Sequence, residues 1–286
     1  MYNLRYHIAS LVAVFLALAM GLLLGTIVVE RGVLSTQQTS LVAGLEKEFN
    51  DVRAESASIQ ATNTMLSGFA DEAAPQLVAG ALAGRTVLVI TAPEAGDTVA
   101  SVKAAVAEAG GRTAVVTITK AGLALSDPDV AAAAEKALGV VAGSLDQTTV
   151  VSALAHEWTT PNDPRALTKA MTVAGGLKLS GLPATATVGA VAVCASYAGT
   201  PDGASLALAK TISAGGLLPA LGVETGKRAD GTAAAAKAAG LSGVDNVDSS
   251  VGSVSLVWVL SGRANGLFGV GDTVDAAFPV PLFPKP

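Results

Sequence analysis

From Ile8 to Val29 the chain is uncharged and almost continuously apolar, reading IASLVAVFLALAMGLLLGTIVV. At ~1.5 Å rise per residue such a run makes a helix ~33 Å long, enough to cross the hydrocarbon core of a bilayer. The pattern predicts a single membrane anchor over residues 1–31. Arg5, the N-terminal amine and His7 precede the run, whereas Glu30 and Arg31 just after it cancel. That charge bias predicts a cytoplasmic N-terminus and an extracytoplasmic remainder. A cleaved signal peptide is the rival reading, because Ala17 and Ala19 form an A-x-A pattern. The run nevertheless continues through Leu22, Leu23, Leu24 and Ile27, longer than an ordinary signal core. Ala9, Ala13, Ala17, Gly21 and Gly25 recur at every fourth position, a stripe of small side chains on which two helices can approach closely. An alanine-rich chain also produces such spacing by chance.

Beyond the anchor, Leu45, Val52, Ile59 and Leu66 repeat at heptad spacing, and Leu34 and Leu41 supply the second seam position. This predicts a helix from Val33 to Ser67, ~50 Å long, as a coiled-coil stalk within residues 32–70. Glu48, Glu55 and Thr62 weaken the second seam position toward the C-terminus. The alternative is one amphipathic helix lying on a globular domain.

Pro75 and the Ala/Gly-rich stretch to Gly84 mark a boundary, after which short β-branched runs alternate with Ala-rich amphipathic segments. Arg85–Thr91 and Arg112–Thr119 read as strands around a helix from Asp97 to Gly110. Asp127–Ala137, Asp146–Trp158 and Pro164–Ala174 read as helices, and Val188–Ala195 and Leu217–Val223 as strands separated by a helix over Gly203–Ala214. Gly231–Ala239 reads as a helix leading to Val244–Val247, while Val251–Leu260 is helix or strand on periodicity alone. The predicted fold class is α/β, a mostly parallel, helix-covered and Rossmann-like sheet over residues 84–275. The tail over 276–286, with Pro at 279, 281, 284 and 286, is expected to be extended.

Composition narrows the function classes. The net charge is −5 and no Lys/Arg cluster appears in the 286 residues, which argues against nucleic acid as a partner. A single cysteine, Cys194, excludes an intrachain disulfide framework and any CxxC pair. The mean hydropathy of +0.53 owes much to Ala and Val rather than to a second span.

Candidate chemistry is sparse, and no catalytic or cofactor-binding residues are assigned. Gly222–Arg228 (GVETGKR) has three residues between its glycines and Arg after Lys, so it lacks the spacing and the magnesium-holding hydroxyl of a P-loop. Gly266, Gly269 and Gly271 miss the dinucleotide spacing and read as a turn. His156, beside Glu157 near a helix end, reads as a surface or capping residue, and Cys194 as a buried inert thiol. Asp245 with Asp248, and Asp127 with Asp129, are turn or cap residues by default rather than a calcium loop. The soft-metal inventory is Cys194, Met1, Met20, Met65, Met171, His7 and His156, scattered along the chain, so any metal site has to be assembled by tertiary structure or oligomerisation.

The anchor LRYHIASLVAVFLALAMGLLLG at 4–25, the heptad stalk, RTVLVIT at 85–91, DNVD at 245–248 and GSVSLVWVLSG at 252–262 together resemble the actinobacterial copper transport protein B family (MctB-like copper transporters). The resemblance implies an envelope protein of copper efflux or homeostasis, channel-forming and connected with the outer membrane, with copper as the transported ion. It carries over no copper ligand. One helix encloses no channel, so a pore requires homo-oligomers formed through anchor and stalk. The expectation is a non-enzymatic, oligomeric transport component; the alternative is a non-catalytic envelope scaffold held off the membrane by its coiled coil.

Overall fold

The computed structural model describes residues 4–30, 33–93, 95–119, 123, 125–194, 203–214, 218–226, 231–271 and 273–280. The chain divides into two compact units, Met1–Leu66 and Ser67–Pro286.

The first unit is helical. α1 (Leu4–Glu30) contains the apolar stretch Leu4–Ile27, long and apolar enough to cross a membrane and unburied along its length. α2 (Val33–Val78) begins in this unit and ends in the second. The helix expected to end at Ser67 runs further: it carries Pro75, read as the start of a boundary, within it and continues to Val78. A proline removes one intrahelical donor; here that loss falls in the last turns, where Ala74 and Val78 are buried. Burial therefore outweighs the breaker signal.

The second unit is built on a seven-stranded sheet in the order β3-β2-β1-β4-β5-β6-β7. β1 (Thr86–Thr91), β2 (Arg112–Ile118), β4 (Ala190–Cys194), β5 (Ala220–Val223), β6 (Ser242–Val244) and β7 (Leu267–Phe268) are parallel. β3 (Leu177–Ser180) runs antiparallel at the edge, with Ile118 opposite Leu177. β1 and β4 are buried at every position, which is why they read as unbroken apolar runs. The α/β, mostly parallel architecture expected from the sequence is the one observed.

Alternation of side chains across the strands makes two cores. Leu88, Ile90, Val191 and Val193 face one core, shared with α4 (Pro128–Leu138), α5 (Gln147–Thr159), α6 (Ala166–Val173) and α7 (Gly203–Ile212). Val87, Val89, Ala192 and Cys194 face the other, shared with the end of α2, with α3 (Gly96–Glu108) and with α9 (Ser250–Leu260).

α9 resolves the ambiguous Val251–Leu260 segment as a helix. From Val254 to Leu260 every residue is buried, so no polar face betrays a period. The start signal lies outside the run: Ser249 Oγ accepts from Gly252 N at 3.0 Å as the N-cap. α8 (Thr232–Ala238) rests closely on β5 and β6. A Cβ at Gly222 would lie 2.3 Å from Thr232 O, and one at Gly243 2.5 Å from Ala233 O. Glycine in these strands lets the helix backbone approach. The LGVVAG segment between α4 and α5 forms no strand, only a left-handed cap at Gly139 and turns.

Candidate functional site

In open parallel sheets the natural ligand crevice lies beyond the carboxyl ends of the strands, where the strand order reverses. Here the reversal falls between β1 and β4, with Thr91 opposite Cys194 at the edge. Thr98 Oγ1 on α3 and Thr225 Oγ1 after β5 stand 3.5 Å apart there. The neighbouring edge carries carboxylates. Glu224, which follows β5, is 6% exposed, and its side chain lies so close to Gly231 that a Cβ there would be 1.6 Å from Oε2. Asp245, which follows β6, is 2% exposed and accepts from Val270 N at 2.8 Å and Gly271 N at 2.9 Å.

These contacts show what the sequence candidates pack against. Gly222 of GVETGKR serves strand–helix packing; Lys227 and Arg228 lie outside the described residues. The GLFGVG turn is held by Asp245: Gly269 has φ 145°, and a Cβ on it would fall 1.5 Å from Asp245 Oδ1. Asp248 Oδ1 takes a longer bond from Gly226 N, 3.4 Å. Asp127 caps α4, accepting from Asp129 N at 3.0 Å and Val130 N at 3.3 Å. A sheet edge faced by buried carboxylates disfavours the phosphates that this fold often receives there.

The soft-metal candidates are not brought together. Cys194 is 2% exposed in one core, and burial pushes its thiol pKa up to about 12. Met171 is fully buried in the other core, across the sheet. Met20 and Met65 are exposed on α1 and α2. His7 is exposed on α1; His156 is exposed near the C-terminus of α5, its Nδ1 3.5 Å from Thr160 Oγ1. Met1 lies outside the described residues. Among the described residues no three of His, Cys, Asp and Glu gather as a group able to hold a metal ion.

A polar cluster that the sequence reading passed over lies instead between α5 and α6. Glu157, 8% exposed, accepts from Leu167 N at 2.7 Å, Thr168 N at 2.9 Å and Thr168 Oγ1 at 2.6 Å. Thr168 Oγ1 in turn accepts from Trp158 Nε1 at 2.9 Å. Arg165, 6% exposed and at φ 53°, donates to the carbonyls of Leu182, Pro183 and Ala186. A charged residue in an otherwise apolar segment was the available signal. Most of these bonds run to backbone groups at the start of α6 and in the segment before β4, so the cluster ties the α5–α6 connection to its surroundings.

The family described as "Copper transport outer membrane protein, MctB" matches residues 1–279. Proteins named Copper transporter MctB from Mycobacterium tuberculosis and Mycobacterium bovis are 32% identical to this chain over 122 residues. That stretch is 42% of this chain and 38% of theirs, so the match spans well under half the length of those relatives. No solved structure matches. With the family match covering residues 1–279 of 286, this protein belongs to the MctB copper transport family.

Proposed function

We propose that the protein is a non-catalytic, membrane-anchored component of copper homeostasis in the cell envelope. α1 spans the membrane once with its N-terminus in the cytoplasm, and the α/β unit lies outside, acting in copper efflux. The observation that carries this reading is the stretch Leu4–Ile27, apolar and unburied, in a chain matched to a copper transport family over residues 1–279. An exposed apolar helix of this length is stable in lipid and not in water.

Copper is cargo in this reading. A single helix encloses no pore, so passage of an ion requires several copies, and outer-membrane association would then be a property of the assembly. Leu41, Leu45, Val52, Ile59 and Leu66 on α2 are each more than half exposed in the single chain, which supports their burial against other copies in a coiled coil. Deleting the gene tests the proposal: raised copper sensitivity and raised cell-associated copper are expected, and no change in either would overturn it.

The same seam, with the scattered copper donors, favours a second reading in which the chain is an envelope scaffold. Capture of partner proteins from membranes, with unchanged copper content in the deletion strain, would favour it over transport.

A further inference from the structure

A cavity of about 510 Å³ opens beside the C-terminal end of α9, walled by Trp258, Arg263, Asn265, Phe268, Pro279 and Val280. It lies wholly within the second unit. Its two sides differ in chemistry. Phe268 and Pro279 are buried and present apolar surface, and Val280 is 75% exposed at the rim. Arg263 and Asn265 are exposed and supply a guanidinium and an amide.

Arg263 stands over the Trp258 ring, its guanidinium carbon 5.9 Å from the ring centroid. At that distance the ring face attracts the cation, whose N–H groups remain available to a planar anion. Among the described residues no carboxylate pairs with it. Trp258 is 4% exposed, and its Nε1–H is buried without a hydrogen-bond partner. An indole N–H in that position normally finds an acceptor.

We propose that this cavity binds a small amphiphilic monocarboxylate, with the anion on Arg263 and the alkyl part against Phe268, Pro279 and Val280. A planar carboxylate matches the guanidinium fork. The volume is ample for a chain of a few carbons. The site does not depend on the copper reading.

Trp158 and Trp258 are the two tryptophans of the chain, so 5-fluorotryptophan labelling gives two ¹⁹F resonances, assigned with a Trp158→Phe sample. Full-length protein in maltoside micelles is titrated at pH 7 with hexanoate and, separately, with uncharged hexanamide. The expected result is a saturable shift of the Trp258 resonance with hexanoate and at least tenfold weaker binding of hexanamide. Arg263→Ala should weaken hexanoate at least tenfold, and Arg263→Lys by less. Saturation-transfer NMR on hexanoate itself provides a second readout that needs no variant. Equal binding of acid and amide, unchanged affinity in Arg263→Ala, or no saturable response by either method would overturn the proposal.

Discussion

Replacing Glu157 by alanine would strip one carboxylate that serves three donors at the start of α6. Leu167 N, Thr168 N and Thr168 Oγ1 bond to it at 2.7, 2.9 and 2.6 Å, in a site where Glu157 is 8% exposed. A hydrogen bond to a charged group contributes roughly 1.5–3 kcal/mol, and a buried donor left without a partner costs about 1–3 kcal/mol. The three bonds share one acceptor group and do not add in full, so the expected loss is ~3–5 kcal/mol. For a domain near 200 residues this lowers Tm by roughly 6–20 °C. Glu157→Gln keeps one acceptor oxygen and should lose less than half as much. Thr168→Val removes the link that passes the network on to Trp158, whose Nε1–H then lacks its 2.9 Å acceptor. Thermal unfolding of the full-length protein, followed by near-ultraviolet circular dichroism and tryptophan emission, reads all three. The double variant should lose clearly less than the sum of the single ones. A Glu157→Ala shift below 2 °C, or strict additivity with Thr168→Val, would refute the network.

Gly222→Ala should cost at least ~2 kcal/mol, because its Cβ would meet Thr232 O at 2.3 Å and Ala236 Cβ at 2.6 Å; an unchanged Tm would show that α8 shifts freely on the sheet. Cys194, raised by burial to about 12, holds its proton in the folded state after an unfolded thiol has ionised. The folded state then binds more protons than the unfolded one between about pH 9 and 12, so stability falls as pH rises through that window. Comparing the pH slope of Tm with that of Cys194→Ala measures this, and identical slopes would sink it. Ile59→Asp, on the exposed apolar seam of α2, should lower the mass of the detergent-solubilised particle by light scattering while leaving the melting of the α/β unit unchanged; an unaltered mass would remove that seam from the assembly.

The parts of the fold visible in the sequence are those with a one-residue or four-residue signal. β1 and β4 announce themselves as apolar runs because they are buried on both faces, whereas β2 is a β-branched run with full burial on alternate positions only. α4 and α5 carry aspartate caps at Asp127 and Asp146 ahead of amphipathic stretches. β3 and β7 were not legible: LKLS and LF are too short to show alternation, and their pairing comes from neighbours distant in sequence. The end of α2 was placed too early, at Ser67, whereas burial of Ala74 and Val78 carries the helix through Pro75 to Val78. Of the chemistry, the departure of the loop candidates from P-loop and dinucleotide spacing was readable, whereas the use of Asp245 was not. A DNVD segment and a GLFGVG segment give no hint from spacing that one carboxylate ties the first to the backbone of the second.

The position of Cys194 bears on how a member of a copper transport family can handle its ion. On β4, Ala192 and Cys194 face one core while Val191 and Val193 face the other. Met171 belongs to that other core, so the central sheet itself separates the only thiol from the only buried thioether among the described residues. A rotamer change cannot bridge that separation, since side-chain direction on a strand is fixed by the pleat. Copper(I) favours such sulfur ligands, yet these two reach a common ion only if β4 loses its pairing with β1 and β5. Among the described residues the other methionines, Met20 and Met65, are exposed on α1 and α2, one of each per copy. Soft ligands repeat at one level only when several chains align, so any metal site built from these residues would require the oligomer proposed above.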